Sequence, residues 1–212
     1  MDTTTLLSTA YLPPIEYVAY LMRGGVWLDT RERYHKQSYR NRARILTGNG
    51  VQTLTVPVEH RTGPTPIRDA RIDYKMPWQR THWRTIVSAY GNSPYLLYYL
   101  DPLKPFYEKH FEFLFDYNLQ LTDTILRLMR LPADFRLTDE DTPPTACDLR
   151  EAIHPKNANR TDYPFRLQNK YYQVFEDRYG FVPNLSILDL LFNTGPDATD
   201  YLKAQLDIYT SC

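Results

Sequence analysis

The chain has 212 residues, with 25 lysines and arginines against 25 aspartates and glutamates, so its formal net charge is zero at pH 7. That length supports a substantial core in one large domain or one domain with a helical extension. The charge balance excludes a global pull toward nucleic acid or an anionic membrane, so any anion recognition must be local.

The only cysteines, Cys147 and Cys212, make neither a disulfide framework nor a zinc site. The N-terminus lacks a basic start and meets prolines before any long apolar run, and no stretch approaches the length of a membrane span. A soluble, reducing, cytoplasmic setting is expected. Eighteen tyrosines suit positions that are apolar along the ring and polar at the tip, in a core or in a stacking site.

In chain order, Leu6 to Leu12 reads as a short strand stopped by Pro13-Pro14, which favour a helix start at Ile15. Ile15 to Arg23 is a helix that Gly24-Gly25 end, and Val26 to Leu28 is a second strand closing at Asp29. Strand, short helix and strand suit a compact parallel crossover. Ligands of such units gather beyond the carboxyl ends of the strands, marked here by Tyr11 on one and by Asp29 with Thr30 on the other.

Arg31 to Ser38 is polar and reads as a loop that sets His35 and Lys36 just ahead of a hairpin. Asn49-Gly50 is a strong signal for a two-residue hairpin loop, because both positions tolerate positive φ. Pairing Gly48 with Val51 sets Ala43 against Val56 and Ile45 against Leu54 on one face. Arg40, Arg42 and Arg44 then share the other face, with Arg40 opposite Glu59, and Asn41 turns toward the buried side. Three arginines in a row are either a solvated face or an anion-binding surface. Beyond a turn at Arg61 to Pro66, Arg68 to Asp73 alternates as a further strand.

From Pro77 the period becomes helical, with Trp78, His82, Ile86 and Tyr90 at steps of four along one face. His82 is either a satisfied core histidine or a base reaching into a cleft; enclosure among aromatics would mark it as the former. Pro94 to Arg130 reads as aromatic- and leucine-rich helical pieces, one of them buried, in which Asp116 and Asn118 need partners if enclosed. Ala133 to Pro164 is polar and reads as a long loop. Helices are expected at Phe165 to Tyr179, after Ser186, and at Asp197 to Ile208. The fold class is α+β. A mixed sheet with a short βαβ-like start and a β-hairpin occupies about residues 1–76, and a mainly helical part about 77–212, within one domain.

The strong signatures of phosphate loops, dinucleotide folds, serine hydrolases and zinc proteases are missing, and the histidines show no metal-ligand spacing. No metal is indicated and the cofactor is left open. What remains is a set of polar residues at predicted strand edges and on the next helix: Tyr11, His35, Lys36, Arg40, Asn41, Arg42, Asp73 and His82. If the fold gathers them, they supply cations for an oxyanion or phosphate, a carboxylate and a histidine for proton transfer.

YLPPIEY at 11–17, YHKQSYRNRARIL at 34–46, LTVPV at 54–58, the spaced Trp78 and His82, AYGNSPY at 89–95 and PNLSILDLLFNTGP at 183–196 together resemble the WbqC-like protein family. One departure is Tyr39, where the family's usual residue is tryptophan. The resemblance implies a bacterial cytoplasmic protein of poorly characterised function, from a family often found with surface polysaccharide and O-antigen genes. It adds Tyr90 and Asn184 to the candidate substrate-binding residues.

Two classes of function are then open. One is a transferase moving an acyl or aminoacyl group on an activated or amino sugar, with His82 as base, Asp73 as its orienter, Lys36 stabilising charge, and Arg40 and Arg42 holding phosphate or carboxylate. The other is a non-catalytic module that binds a phosphorylated or glycan ligand. The expected partner is a small molecule, without nucleic acid or membrane; the oligomeric state is left open.

Overall fold

The computed structural model describes residues 4–60, 62–138, 147–157 and 169–206. Strands β1 (Thr5–Leu7) and β2 (Val26–Asp29) pair in parallel, with Thr5 opposite Val26 and Leu7 opposite Leu28. Helix α1 (Ile15–Arg23) connects them, starting directly after Pro14. Gly24 and Gly25 end it at φ 82° and 67°, where a Cβ would be strained. The parallel crossover is therefore present, but β1 stops at Leu7 instead of running to Leu12. Beyond it Tyr17 Oη donates to Ser8 O at 2.8 Å, Tyr11 N–H donates to Tyr39 O at 2.8 Å, and Leu12 sits at φ 41°, so the chain turns away from the sheet.

Strands β3 (Arg42–Thr47) and β4 (Gly50–Thr55) form the hairpin around Gly48-Asn49, with Thr47 opposite Gly50 and Ala43 opposite Leu54. The loop lies one residue earlier than expected and the pairing differs by two. Thr47 fixes it there, because its Oγ1 donates to Gly50 O at 2.9 Å and accepts from Asn49 N–H at 3.2 Å. A shift of two keeps every side chain on its own face, so Ala43, Ile45, Leu54 and Val56 are buried as the alternation requires.

A four-stranded parallel sheet has the order β5-β2-β1-β6, with β5 at Phe135–Thr138 and β6 at Cys147–Asp148. Both outer strands come from the segment expected to be loop. They are too short for a periodic signal, and β5 is held partly by Arg136, whose guanidinium lies 5.6 Å from the ring centroid of its cross-strand partner Trp27. Cys147 is disulfide-bonded, which departs from the expected reducing setting, and two distant cysteines carry no sequence signal of it. The strand expected at Arg68 to Asp73 is replaced by a 3-10 turn at Ile67–Asp69 and single bridges from Arg71 and Ile72.

Helix α2 (Trp78–Tyr90) packs on β3, with Trp78, His82, Ile86 and Tyr90 all buried, and α3 (Leu96–Leu103) packs against α4 (Leu114–Leu128). Within α4, Asn118 is fully buried and donates Nδ2 to Arg40 O at 2.7 Å, whereas Asp116 is exposed. The short α5 (Glu176–Tyr179) precedes α6 (Ile187–Thr194), capped by Ser186, and α7 (Ala198–Leu206). Of the helix expected at Phe165 to Tyr179, residues 169–175 are not helical. Tyr171 and Gln173 are instead drawn to the buried Asp189, bonding its Oδ2 at 2.6 and 2.8 Å. Residues 165–168 and 207–208 lie outside the described residues. Among the described residues no helix is long and apolar enough to cross a membrane.

Candidate functional site

The chain leaves β1 toward β2 on one side, while β6 joins β1 on the other. A parallel sheet opens a crevice beyond its carboxyl ends at such a reversal of strand order. Ser8, Thr9, Arg40, Leu149, Arg150 and Ile153 line a cavity there, with room for about one water molecule.

Two ion-pair systems cross this edge. Arg40 meets Glu32 as a fork, Nε to Oε1 at 3.0 Å and Nη2 to Oε2 at 2.5 Å, and Ser8 Oγ donates to the same carboxylate at 2.9 Å. Both Arg40 and Glu32 are buried, but Arg40 Nη2 also reaches the largely exposed Glu151 at 3.4 Å. In the second system Arg150 grips Asp148 through Nε at 2.9 Å and Nη2 at 2.6 Å, and also pairs with Asp29. Asp29 Oδ1 accepts from Thr138 Oγ1 at 3.2 Å, and Thr30 N–H donates to Thr138 Oγ1 at 3.0 Å, which stitches the ends of β2 and β5 together.

Desolvation raises the pKa of Glu32 despite the opposing fork from Arg40. Hydrogen bonds from Arg150 hold the Asp148 carboxyl below its ordinary value. His154 at the rim is lowered by burial, with Glu151 opposing and Lys156, Arg40 and His35 adding to the lowering, so these five groups share one electrostatic neighbourhood. A carboxylate that is buried, raised in pKa and hydrogen-bonded to a hydroxyl is chemically suited to accept a proton. Among the described residues no group of three or more His, Cys, Asp or Glu is placed to hold a metal ion.

The sequence candidates divide between two places. Arg40 enters the carboxyl-edge network, with His35 nearby and Lys36 exposed on the same turn. Tyr11 and His82 lie in the interior, Oη to Nδ1 at 2.9 Å, and Tyr107 Oη is 3.2 Å from Tyr11 Oη. His82 is 5% exposed, packs edge-on to Trp78 at 5.2 Å, and has its pKa lowered to about 4 by burial, opposed by a bond with the Thr55 backbone. Asp73 is not its partner: the carboxylate accepts from Lys75 N–H at 2.8 Å and lies 3.9 Å from Lys75 Nζ.

The other candidates have structural settings. Asn41 Nδ2 donates to Val56 O at 3.0 Å, and Asn184 Oδ1 accepts from Glu16 N–H at 3.1 Å, which caps the first turn of α1. Tyr90 is buried and edge-on to Phe192 at 5.2 Å. Arg42 is half-buried in β3 and contributes no ion pair to the edge network.

Sequence reading missed Ser8, Glu32, Asp148, Arg150 and Glu151. Ser8 was hidden inside an overlong strand, Glu32 in a charged loop, and the other three in a segment whose strand is two residues long. The one usable signal was the crossover, which places Asp29 and Thr30 at a strand's carboxyl end.

The chain is 28% identical over 230 residues to the Uncharacterized protein Rv1507c of Mycobacterium tuberculosis, covering 96% of this chain and 98% of the relative. No solved structure matches. The sequence profile of the WbqC-like protein family matches residues 9–163 and 149–201, which together take in the β1 exit, the hairpin, α2 and α6. The chain belongs to the WbqC-like protein family.

Proposed function

We propose that this protein is a cytoplasmic group transferase that moves an acyl or aminoacyl group onto an activated or amino sugar in surface polysaccharide or O-antigen assembly, and that it works at the carboxyl edge of the parallel sheet. The observation that carries the reading is the convergence there of Ser8, Glu32, Arg40 and Arg150, from four separate segments, at a reversal of strand order. The setting in polysaccharide assembly rests on family resemblance.

In this reading Glu32 takes the proton from the acceptor hydroxyl or amine as that atom attacks the acyl carbon. The proton then passes to the donor's leaving group, which departs, so no proton is gained or lost. Arg40 holds an anionic part of the substrate by exchanging the exposed Glu151 for it, while the buried Glu32 fork keeps the guanidinium in place. Lys36 stabilises developing charge from the neighbouring turn. His82 takes no proton in this reading, because it is enclosed beside Tyr11 and Trp78 with its Nδ1 on Tyr11 Oη.

A second reading is a non-catalytic binder of a phosphorylated or glycan ligand, in which the buried Arg40 anchors the anion without turnover. Thermal-shift screening against nucleotide sugars, acyl-coenzyme A species and aminoacyl donors, followed by mass spectrometry of the stabilising compounds, separates the two. Conversion of a stabilising compound supports transfer, and its quantitative recovery with every donor supports the binder.

A further inference from the structure

Residues 74–80 and the segment around Tyr107 and His110 enclose a second cavity, an open groove of about 370 Å³, within the range of small-molecule sites. Its aromatic wall is the Tyr74 ring stacked on His110, centroids 4.0 Å apart at 14°, with Trp78 tilted against Tyr74 at 5.9 Å. This wall is held rigidly. Tyr74 Oη accepts from Phe111 N–H at 2.9 Å and donates to Phe111 O at 3.1 Å. Gln79 Nε2 ties the start of α2 to the opposite side, donating to Phe106 O at 3.0 Å and Lys109 O at 2.6 Å. A site whose walls are already fixed loses little entropy when it is occupied.

The charge of the groove departs from the neutrality of the whole chain. Lys75 and Arg80 stand on its lining, which includes no carboxylate. Lys75 is highly exposed and only loosely near Asp73 at 3.9 Å, and among the described residues Arg80 has no ion pair. The edge cleft is the opposite case, since both of its arginines are already engaged by carboxylates. Aromatic faces beside available cations fit a ligand that joins a flat ring to an anionic group.

We infer that the groove between Tyr74, His110 and Arg80 is a binding site for the nucleoside-phosphate class of ligand, with the base on the aromatic wall and the phosphate at Lys75 and Arg80. The inference does not depend on transfer chemistry at the sheet edge.

Isothermal titration of the full chain with the four nucleoside monophosphates, the corresponding nucleosides and inorganic phosphate tests it. At least one monophosphate is expected to bind saturably, about tenfold or more tighter than its nucleoside and than phosphate, and to weaken as salt is added. Arg80→Glu and, separately, Lys75→Glu are expected to weaken it by about tenfold or more, and His110→Ala to reduce the advantage over phosphate. All three side chains are exposed, so these variants keep the core intact. Lys203→Glu, an exposed charge reversal on α7 away from the groove, is expected to leave this binding unchanged. No saturable binding by any monophosphate overturns the inference, as does binding indifferent to both charge reversals, or phosphate alone binding equally well. A failed groove leaves the edge reading untouched, because the two are probed by different variants.

Discussion

Tyr11 Oη and His82 Nδ1 lie 2.9 Å apart in the interior, joining the segment beyond β1 to the second turn of α2. A histidine held this way among Tyr11 and Trp78 is neutral, and its neutrality is linked to stability. Its folded pKa of about 4 lies below the ordinary 6.5, so between those values the unfolded chain binds more protons. The stability it supplies is present above pH 6.5 and is lost as pH falls through 4, with a full extent of roughly 3 kcal/mol. His82→Gln is therefore expected to flatten the acid side of a urea-denaturation profile relative to wild type. An unchanged acid slope contradicts the buried, neutral assignment.

Asp189 has the opposite sign. Burial raises its pKa from 3.8 to about 6, against hydrogen bonds from Tyr171 and Gln173. The folded state now binds more protons, so the contribution is present below pH 3.8 and lost as pH rises through 6, again by roughly 3 kcal/mol. Asp189→Asn is expected to remove this slope. The two groups offset each other between pH 4 and 6, so each single variant should uncover the other's slope, and equal profiles for both variants would contradict the pairing of signs.

Glu32 and Arg40 form a fork with both side chains buried. Removing one partner leaves the other charged and unpaired in the interior, at a cost of about 3–5 kcal/mol for Glu32→Gln or Arg40→Met. The double variant is expected to cost clearly less than the sum of the two. Urea denaturation of all four proteins at pH 7 closes the cycle, and additive losses would mean that the two side chains do not act as a pair.

Gly195 lies at φ 58°, and a Cβ placed there would come within 2.5 Å of the Tyr95 ring. Since that ring follows Pro94 and its backbone N–H donates to Phe192 O at 3.0 Å, it has little room to move. Gly195→Ala is expected to lower stability by roughly 1–3 kcal/mol, measured by the shift in denaturation midpoint. A neutral effect would show that Tyr95 is free to give way.

How much of this is legible in the sequence depends on length and on partners. The hairpin faces are legible because alternation survives a register shift of two, so Ala43 and Ile45 are correctly buried although their cross-strand partners differ. The helical stripe from Trp78 to Tyr90 is legible for the same reason. Strand β6 is not, since two residues carry no period, and with it go Asp148 and Arg150. Arginine faces are also ambiguous: Arg40 looks like a solvent or ligand contact until Glu32, eight residues earlier, is seen to bind it in the interior. A charged side chain betrays its burial only through its partner, and that pairing follows from the way the loop folds back onto the strand ends.

Turnover of the substrate found by screening tests most directly the proposal that Glu32 is the base at the carboxyl edge. The rate is to be compared in wild type, Glu32→Gln and His82→Gln, each first shown to be folded. Glu32→Gln is expected to lower kcat by about two to four orders of magnitude, while His82→Gln changes it by about tenfold or less. A wild-type rate in Glu32→Gln, or the large loss falling on His82→Gln instead, would contradict it.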